Sequence, residues 1–413
     1  MTVVTQGATP RLHTPRRLLA AENPGLEEHL RVHGALVLPR ARSIADLLGE
    51  VRAARSTGRG GAGRPVADAF DAVRDGVATT GRPAVVVANG VEGEPVSRKD
   101  VTLLTRAPHL VLDGLDLAAA VVGADAAVLC AAEGPGLAAV RTAVAERRRH
   151  RRGGVAVTVV PSAPGFVAGQ DTAVVAHLNG AAPVPRGDGV PLSRNGVHGR
   201  PTLVKNVETL AQLALVGRHG ARGIASLGTP ENPGTLLTTV AVTGAEPRVV
   251  EVAWGTPLRS VLAVTGGPVS AALVGGFHGS WIGGDELDVP LSPSALAGVR
   301  ASVGAGVLLA LRPGECGLRA TERVLVYLAG QSVRQCGPCR FGLPGLAERF
   351  SAVLDGRGGG EELGRSLTLL QGRGACRHPD ASAAMLASTV RVFAADLAAH
   401  RAGRCTVAGT VAA

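Results

Sequence analysis

Short apolar runs alternate with longer amphipathic stretches in the first half of the chain. Apolar runs at residues 83–90, 126–130 and 155–160 are separated by amphipathic stretches at 101–120 and from Leu137 to an arginine-rich end. Apolar runs bounded by turn residues indicate buried strands, and helical periodicity between them indicates crossover helices. The alternation predicts an α/β domain with a parallel sheet.

The pattern changes twice further along the chain. Residues 217–234 are rich in loop-forming residues and indicate a domain boundary. Residues 235–282 then hold short strands around one brief helix, which predicts a small ββαβ module. After Gly314 the apolar positions follow helical spacing, and four helices are predicted at 321–328, 343–354, 363–370 and 381–399.

These changes divide the chain into four parts. We expect an N-terminal extension over 1–50, the α/β domain over 51–225, the small β module over 235–295 and a helical domain over 315–406.

The composition indicates a folded protein without a nucleic-acid platform. Of 413 residues, 46% are hydrophobic, and the net charge of +10 comes almost wholly from arginine, since Lys99 and Lys205 are the only lysines. The basic run Arg147–Arg152 is interpreted as a solvated helix end, with a docking patch for an acidic partner as the alternative. The few aromatic residues (Trp 2, Tyr 1, Phe 6) are too few for base stacking, so no nucleic acid is expected.

The sequence shows no segment for export or membrane insertion. Arg11, Arg16 and Arg17 are not followed by an apolar core of signal length, and the apolar stretch 117–124 is far shorter than the ~20 residues that a membrane span requires. We therefore expect a cytoplasmic protein with no transmembrane segment. In that setting the six cysteines are expected to be metal ligands or buried thiols rather than disulfides.

Three cysteines have the spacing of a metal centre. Cys336 and Cys339 form a C-x-x-C turn through Gly337 and Pro338, and Cys376 follows in G-R-G-A-C-R-H-P. Two intervening residues let a tight turn direct both sulfurs to one centre, which suits either an iron–sulfur cluster or zinc. A fourth ligand is missing from this set.

Glycines and polar residues form a second group of candidate residues. Residues 58–63 read G-R-G-G-A-G, in which Gly58, Arg59, Gly60 and Gly61 can bring backbone N–H groups close to a phosphate or flavin; a flexible loop is the alternative. Residues 89–100 read N-G-V-E-G-E-P-V-S-R-K-D and place three polar side chains at the end of an apolar strand, where α/β folds bind ligands. These side chains are Asn89, Glu92 and Glu94; a surface turn is the alternative. Two further polar patches contain Gln170 with Asp171, and Asn206, each of which is also suited to begin a helix.

In their order along the chain, these motifs resemble the NADH- and FMN-binding subunit of respiratory complex I and its relatives in NAD-linked hydrogenases and formate dehydrogenases. The resemblance runs from about Gly58 to the C-terminus. It implies a flavin domain, a β-grasp module of the SLBB kind and a four-helix domain with a [4Fe–4S] cluster. It also implies hydride transfer from NADH to FMN, with Glu94 as the candidate catalytic residue and Cys336, Cys339 and Cys376 as cluster ligands.

Several positions depart from the family pattern. Val91 replaces an aspartate that helps to hold the flavin, Val101 replaces an arginine, and Lys205 replaces an asparagine. Gln170 and Asp171 replace two glutamates, and no lysine follows the glycine loop, where Arg64 is a candidate counter-charge. Val333 stands where the family has the first cluster cysteine.

Other donors for the cluster are limited. A straight helix of about twelve residues would place Cys316 ~18 Å from the cluster, and a straight final helix would place Cys405 roughly 30 Å from Cys376. His378, two residues from Cys376, is the nearest alternative donor, and Cys130 is expected to be a buried apolar thiol. Three thiolates suit a [3Fe–4S] cluster or a [4Fe–4S] cluster with one open iron.

The expected function is electron transfer from NADH through FMN to the cluster, because nicotinamide exchanges a hydride and a cluster exchanges single electrons. The next acceptor would be a separate ferredoxin-like protein or a membrane reductase, which would associate this chain with a membrane through its partner. One alternative is a degenerate homologue that relays electrons or docks without oxidising NADH, and another is a zinc-stabilised scaffold.

Overall fold

A computed structural model describes residues 16–39, 43–150, 153–187 and 189–407. The N-terminal segment contains helices α1 (Leu26–His33) and α2 (Ile44–Ala53). Residues 1–15 of the predicted extension, and Arg151 and Arg152 of the predicted basic run, lie outside the described residues.

The α/β region contains a parallel sheet, as the alternation of patterns predicted. Its elements are α3 (Val66–Thr80), β1 (Ala84–Gly90), α4 (Lys99–Arg106), α5 (Pro108–Val122), β2 (Ala124–Ala131), α6 (Pro135–Arg149), β3 (Val157–Pro161), α7 (Asp171–Leu178), β4 (Thr202–Asn206) and α8 (Val207–Ile224). The four strands lie in the order β3-β2-β1-β4, all parallel. The strand order reverses between β1 and β4, and such a switch point is where open α/β sheets bind ligands.

Two boundaries in this region differ from the predicted ones. The amphipathic stretch 101–120 forms two helices, because Pro108 disfavours helical geometry at Ala107, which has φ −138° and ψ 50°. Helix α8 continues to Ile224, into the stretch that was predicted as a loop-rich boundary. Helices α4 and α5 both keep apolar faces against the sheet, and α5 is buried over nearly its whole length.

The second region is a mixed sheet. Its elements are β5 (Thr235–Val242), β6 (Arg248–Ala253), α9 (Leu258–Leu262), β7 (Ala271–Val274), β8 (Ser280–Gly283), α10 (Pro293–Gly298) and β9 (Val307–Leu311). The strand order is β6-β5-β9-β7-β8, with β5 and β9 parallel and the other pairs antiparallel. The central strand β9 lies beyond residue 295, so the predicted module boundary falls short of the sheet.

The last region is helical, with α11 (Gly317–Gly330), a π-helical turn at Pro338–Gly342, α12 (Leu343–Leu354), α13 (Gly360–Leu370), α14 (His378–Val392) and α15 (Ala394–Arg401). The predicted final helix 381–399 is broken at Phe393, and its two halves are bent by 85°. The Phe393 ring packs against Trp281, with ring centroids 5.2 Å apart, and against Gly317, where a β-carbon would lie 2.3 Å from the ring. Packing on the second sheet and on α11 therefore fixes the bend.

Within the described ranges, no single helix has the length and apolar character needed to cross a membrane. Only the bent pair α14 and α15 meets that requirement, and only when both helices are counted together.

The N-terminal segment is attached to the second sheet through one carboxylate. The backbone N–H groups of Arg17, Leu18 and Leu19 all donate to the Glu251 carboxylate on β6, at 3.0–3.1 Å. The Thr235 hydroxyl donates to the same carboxylate at 2.7 Å. Successive backbone N–H groups around one buried anion hold the segment in a fixed path.

A buried charge cluster joins α1, α5, α6 and α8. Asp113 on α5 contacts His29 at 2.8 Å and also pairs with Arg147 and Arg218. Arg147 further pairs with Asp116 at 3.0 Å. The prediction of a solvated helix end is therefore wrong for Arg147, whereas Arg148 and Arg149 are exposed. Opposite charges in α5 turn Arg147 inward.

Candidate functional site

Asn89 and Asn206 lie side by side at the switch point of the parallel sheet. They are paired in register at the carboxyl ends of β1 and β4. The Asn206 side chain donates to the Asn89 carbonyl at 3.3 Å, and its Oδ1 accepts from the Glu208 N–H, which begins α8. The Asn89 side chain donates to the Gly169 carbonyl at 2.9 Å. The two amides thus connect the ends of β1 and β4 to each other and to the segment before α7.

The glycine loop lies against this pair. A β-carbon built on Gly60 would lie 3.5 Å from the Asn206 β-carbon. Gly58 closes the loop through its N–H, which donates to the Arg64 carbonyl at 2.8 Å. Gly61 has φ +104°, a conformation that only glycine adopts without strain. The glycine loop predicted from the sequence therefore lies beside the polar strand end.

Arg59 faces away from the open side of the loop. Its guanidinium lies 4.3 Å from the centre of the Trp254 ring and 3.7 Å from a Glu208 oxygen. Burial lowers its pKa, and Glu208 opposes that effect. Arg59 therefore connects the loop to the second sheet, a contact that the sequence did not predict.

Glu92 caps helix α4. Its two carboxylate oxygens accept from the N–H groups of Asp100 and Val101 at 3.0 and 3.1 Å, and from the Ser97 hydroxyl at 2.5 Å. Burial and the neighbouring Asp100 raise its pKa. Both oxygens are already occupied, so Glu92 shapes the loop that follows β1.

Glu94 is a different case, because half of its carboxyl group has no partner. Its Oε2 accepts from the Phe277 N–H at 3.0 Å, whereas its buried Oε1 has no hydrogen-bond partner among the described residues. Burial raises the pKa of Glu94 to about 7. A buried carboxyl with an unpaired oxygen, able to change protonation near neutral pH, is a strong candidate for ligand contact.

Both lysines of the chain lie at this site, Lys99 buried and Lys205 half-buried. Lys99 Nζ contacts Asp100 at 2.7 Å and Glu208 at 3.2 Å. Burial opposes the charge on Lys99, but the two carboxylates outweigh it and raise its pKa. Lys99 and Glu208 were not predicted as site residues. The signal for Lys99 was the rarity of lysine among 43 basic residues.

The second lysine faces Asp171. Burial raises the pKa of Asp171 and lowers that of Lys205, while each charge favours the other, and Arg64 acts on both. Asp171 also accepts from the Asn89 side chain at 3.4 Å. The predicted polar patches at 170–171 and 205–206 therefore meet at the switch point.

The three predicted cluster thiols come together beside this site. Cys339 is buried, and its Sγ accepts from the Arg334 N–H at 3.3 Å. Burial raises the pKa of Cys376, and the nearby Cys339 and Cys336 raise it further. The His378 N–H and the Gln170 side chain act on the pKa of Cys376 in the opposite direction and lower it in part. Gln170 directly precedes α7, so this effect indicates that the thiols lie near the polar residues at the start of α7.

The remaining predicted donors lie elsewhere. His378 is fully buried, with Nε2 2.9 Å from the Leu328 carbonyl and Nδ1 2.9 Å from His278, so neither nitrogen is free for the cluster. Cys316 and Cys405 meet each other and His400. The final helix is bent, so the predicted distance of roughly 30 Å between Cys405 and Cys376, which assumed a straight helix, does not apply. Cys130 is fully buried in β2, as predicted.

Both sites suit the groups that the sequence predicted. The flavin cradle offers an unpaired buried oxygen on Glu94, amides at the switch point and a loop that needs glycine at Gly61. These features suit the polar ring edge and the phosphate-bearing chain of FMN. Thiols that receive N–H donors, as Cys339 and Cys376 do, suit an iron–sulfur cluster.

The chain matches two family models. Residues 51–215 match the Nuo51 FMN-binding domain, and residues 319–400 match the NADH-ubiquinone oxidoreductase-F iron-sulfur binding region.

Similar proteins share nearly the whole chain at low identity. The F subunit of NADH-quinone oxidoreductase in Streptomyces coelicolor is 27% identical, with 97% of this chain and 96% of that protein covered. The Mycobacterium tuberculosis protein of the same name is 26% identical, with 91% and 90% covered. The HndC subunit of the NADP-reducing hydrogenase in Solidesulfovibrio fructosivorans is 25% identical, with 90% and 79% covered.

Two solved structures have a similar fold. The NAD+-reducing [NiFe]-hydrogenase in its H2-reduced state has a TM-score of 0.78 at 27% identity, over 87% of this chain and 63% of that chain. Its air-oxidised state has a TM-score of 0.79 at 26% identity, over 94% and 67%.

Proposed function

Because the chain belongs to the family of NADH- and FMN-binding subunits of complex I and related hydrogenases, we propose that it oxidises NADH and passes electrons to an iron–sulfur cluster on Cys336, Cys339 and Cys376. FMN, when bound, supplies the conversion between a hydride and single electrons. The family match supports NADH, FMN and the cluster as the cofactor set.

Gln170 is the observation that carries this proposal. It directly precedes Asp171 at the flavin cradle, and its side chain is near enough to Cys376 to lower the pKa of that thiol. Gln335 reinforces the same junction, since its side chain donates to the Pro185 carbonyl at 2.9 Å. Electron transfer needs the two sites to be adjacent and rigidly placed, and these contacts provide both conditions.

The residues of the flavin cradle take distinct roles in the proposal. Asn89, Asn206 and the loop Gly58–Gly61 hold FMN at the switch point, and Arg64 with Lys205 supplies positive charge beside it. Glu94 holds or releases a proton on its unpaired Oε1 as NADH reacts. Glu92 and Arg59 act through other residues, by capping α4 and by fixing the loop to Trp254.

The other modules follow from the same proposal. We assign the mixed sheet 235–311 to the β-grasp SLBB class, because a β hairpin and a short helix pack around the central parallel pair β5 and β9. The electron acceptor is a separate ferredoxin-like protein or a membrane reductase. A cytoplasmic location, with attachment to a membrane only through that partner, fits this role.

A relay without NADH oxidation is the second candidate. The side chain of Val91 is apolar, and its Cγ1 lies 3.5 Å from the position that a β-carbon on Gly169 would occupy. Valine therefore offers no polar contact at this position. Lys205 and Asp171 also occupy part of the cradle, where each charge favours the other. Both features favour weaker flavin binding than in the family.

Anaerobic purification followed by visible spectroscopy, flavin extraction and iron analysis tests the proposal. Flavin and iron in one chain, with bleaching of both on addition of NADH, is the expected result. Iron without flavin would support the relay instead. A chain without iron, whose zinc is lost on Cys336→Ser, would contradict both and favour the zinc scaffold.

A further inference from the structure

Cys316, His400 and Cys405 form a second donor cluster, remote from the predicted iron–sulfur site. The two sulfurs and one imidazole nitrogen all lie within 4.8 Å of one another. Cys316 precedes α11, whereas the thiols of the other site follow its far end. A helix of 14 residues is ~21 Å long, so the two groups are separate centres.

The bend of the final helix and a tight turn after it bring these donors together. The 85° bend at Phe393 directs α15 back toward the start of α11. Gly403 then reverses the chain with φ +71°, and the N–H groups of Gly403 and Arg404 donate to the carbonyls of His400 and Ala399. This helix-ending motif returns Cys405 beneath its own helix.

The positions of two of the three donors, His400 and Cys316, suit a cation. His400 is buried, and its Nδ1 donates to the Leu354 carbonyl at 3.1 Å, which leaves Nε2 as the free acceptor. Cys316 directly precedes α11, and the backbone N–H groups in the first turn of a helix have no partner within the helix. A divalent cation displaces the thiol protons as it binds, so both sulfurs would ligate as thiolates.

The spacing also agrees with a tetrahedral ion. Cys316 Sγ lies 3.5 Å from His400 Nε2. Zinc bonds of ~2.3 Å to sulfur and ~2.0 Å to nitrogen, at a tetrahedral angle, separate those two atoms by ~3.5 Å.

We propose that Cys316, Cys405 and His400 Nε2 bind one zinc ion, with a fourth position open to water. Two thiolates balance the charge of a divalent cation. Nitrogen and sulfur donors without a carboxylate select a borderline-soft metal over magnesium or calcium. The ion joins the start of α11 to α15 and to the chain after it, and so holds the helical region closed at the end opposite the cluster.

Metal analysis of the full chain, purified anaerobically under reducing conditions, tests the proposal. We expect one zinc per chain in addition to any iron. Cys405→Ser and Cys316→Ser should each lose the zinc while retaining the iron of the unaltered chain, and Cys130→Ala is the matched control that keeps both. Cys336→Ser should show the opposite result, with loss of iron and retention of zinc. Unchanged zinc in Cys405→Ser would overturn the proposal.

Alkylation of the unaltered chain avoids any dependence on the folding of variants. After a chelator has removed zinc, Cys316 and Cys405 should react with a maleimide, as read by peptide mass spectrometry. Added zinc should slow both reactions at least tenfold, and should leave the rate at Cys130 unchanged. Equal rates with and without zinc, or a Cys316–Cys405 disulfide in the reduced protein, would overturn the site.

Discussion

At the scale of single residues, the chemistry gathers where the composition is most unusual. Lys99 and Lys205 are the only lysines in an arginine-rich chain; Lys99 is buried and Lys205 half-buried at the switch point, each near a carboxylate. A lysine is a compact point charge, which fits between Asp100 and Glu208, whereas the planar fork of arginine needs a wider site. Rarity against the background of one sequence is therefore a usable signal for function.

Glu94→Gln tests the unpaired carboxyl. We expect reduction of bound flavin by NADH to slow at least tenfold, equivalent to ~1.4 kcal/mol in the activation free energy. The pH profile of the unaltered protein should show an inflection near 7, the raised pKa of Glu94, and stopped-flow absorbance should show its loss in the variant. Glu133→Gln, at an exposed glutamate paired with Arg141, is the control.

The raised pKa of Glu94 also predicts how Glu94→Gln changes the pH dependence of stability. The folded-state pKa of Glu94 lies above its ordinary 4.5, so its favourable contribution is present below 4.5 and is lost as the pH rises through about 7. Urea unfolding should therefore show Glu94→Gln gaining stability relative to the unaltered protein between pH 5 and 8. A constant difference across that range would contradict the buried carboxyl.

At the scale of elements, local pattern predicted the parallel sheet and most helices, and missed features fixed by distant contacts. The strand β9 is a short apolar run, V-L-L-A-L, which pairs with β5 and β7, distant in sequence. The bend at Phe393 follows from packing on Trp281 and Gly317, which helical periodicity does not encode. The break before Pro108 did have a local signal, the proline itself.

The candidate site was predicted in the same uneven way. The glycine loop, the two asparagines and the three thiols were all predicted from motif and spacing. The role of Glu92 as a cap of α4 was not predicted, because capping depends on how the chain folds back onto α4. The Phe277 N–H, which donates to Glu94, lies in another module. The sequence around Glu94 therefore gave no signal for this hydrogen bond.

Gly61→Ala tests the loop as an element. The φ of +104° at Gly61 strains any residue with a β-carbon, so we expect the loop to shift and the flavin content after purification to fall severalfold. Gly49→Ala, at an exposed position inside α2 with open space around it, should keep the flavin and gain ~0.5–1 kcal/mol in stability. Equal flavin content in both variants would remove the loop from the site.

Val333→Cys tests the incomplete ligand set. The Arg334 N–H reaches Cys339 Sγ, which places the backbone after Val333 beside the thiols. A fourth sulfur there should protect the open iron. Electron paramagnetic resonance after mild oxidation should show a three-iron signal in the unaltered protein, and this signal should be suppressed in the variant.

Val326→Cys supplies the matched control for that experiment. Val326 is 52% exposed on α11, away from the thiols, so a cysteine there should leave the three-iron signal unchanged. An equal signal in all three proteins would show that position 333 does not reach the cluster.

At the scale of the whole molecule, buried charges join segments that are far apart in sequence. The cluster of His29, Asp113, Arg147 and Arg218 ties the N-terminal helix α1 to α5, α6 and α8. His109 extends it, with Nε2 2.9 Å from Glu146. Burial lowers the pKa of His109 to about 4 and lowers that of His29.

Acid should therefore loosen the assembly in a defined window. A depressed histidine pKa means that the unfolded chain binds a proton which the folded chain refuses, so stability is full above pH 6.5 and falls toward pH 4. We expect His109→Gln to reduce the slope of unfolding free energy against pH by up to ~1.4 kcal/mol per pH unit. His150→Gln, at the exposed end of α6, should keep the slope of the unaltered protein in urea titrations.

The attachment of residues 17–19 to Glu251 has a practical consequence for anyone who prepares shorter versions of this protein. The family match begins at residue 51, which invites a cut there. Such a cut would leave the Glu251 carboxylate with Thr235 as its remaining hydrogen-bond donor among those described. The cut would also remove Leu18 and Leu19 from the apolar core and expose the surface that they cover. The resulting loss of solubility would be misread as instability of the flavin domain. Expression trials should start no later than Arg16, or pair the shorter version with Glu251→Gln.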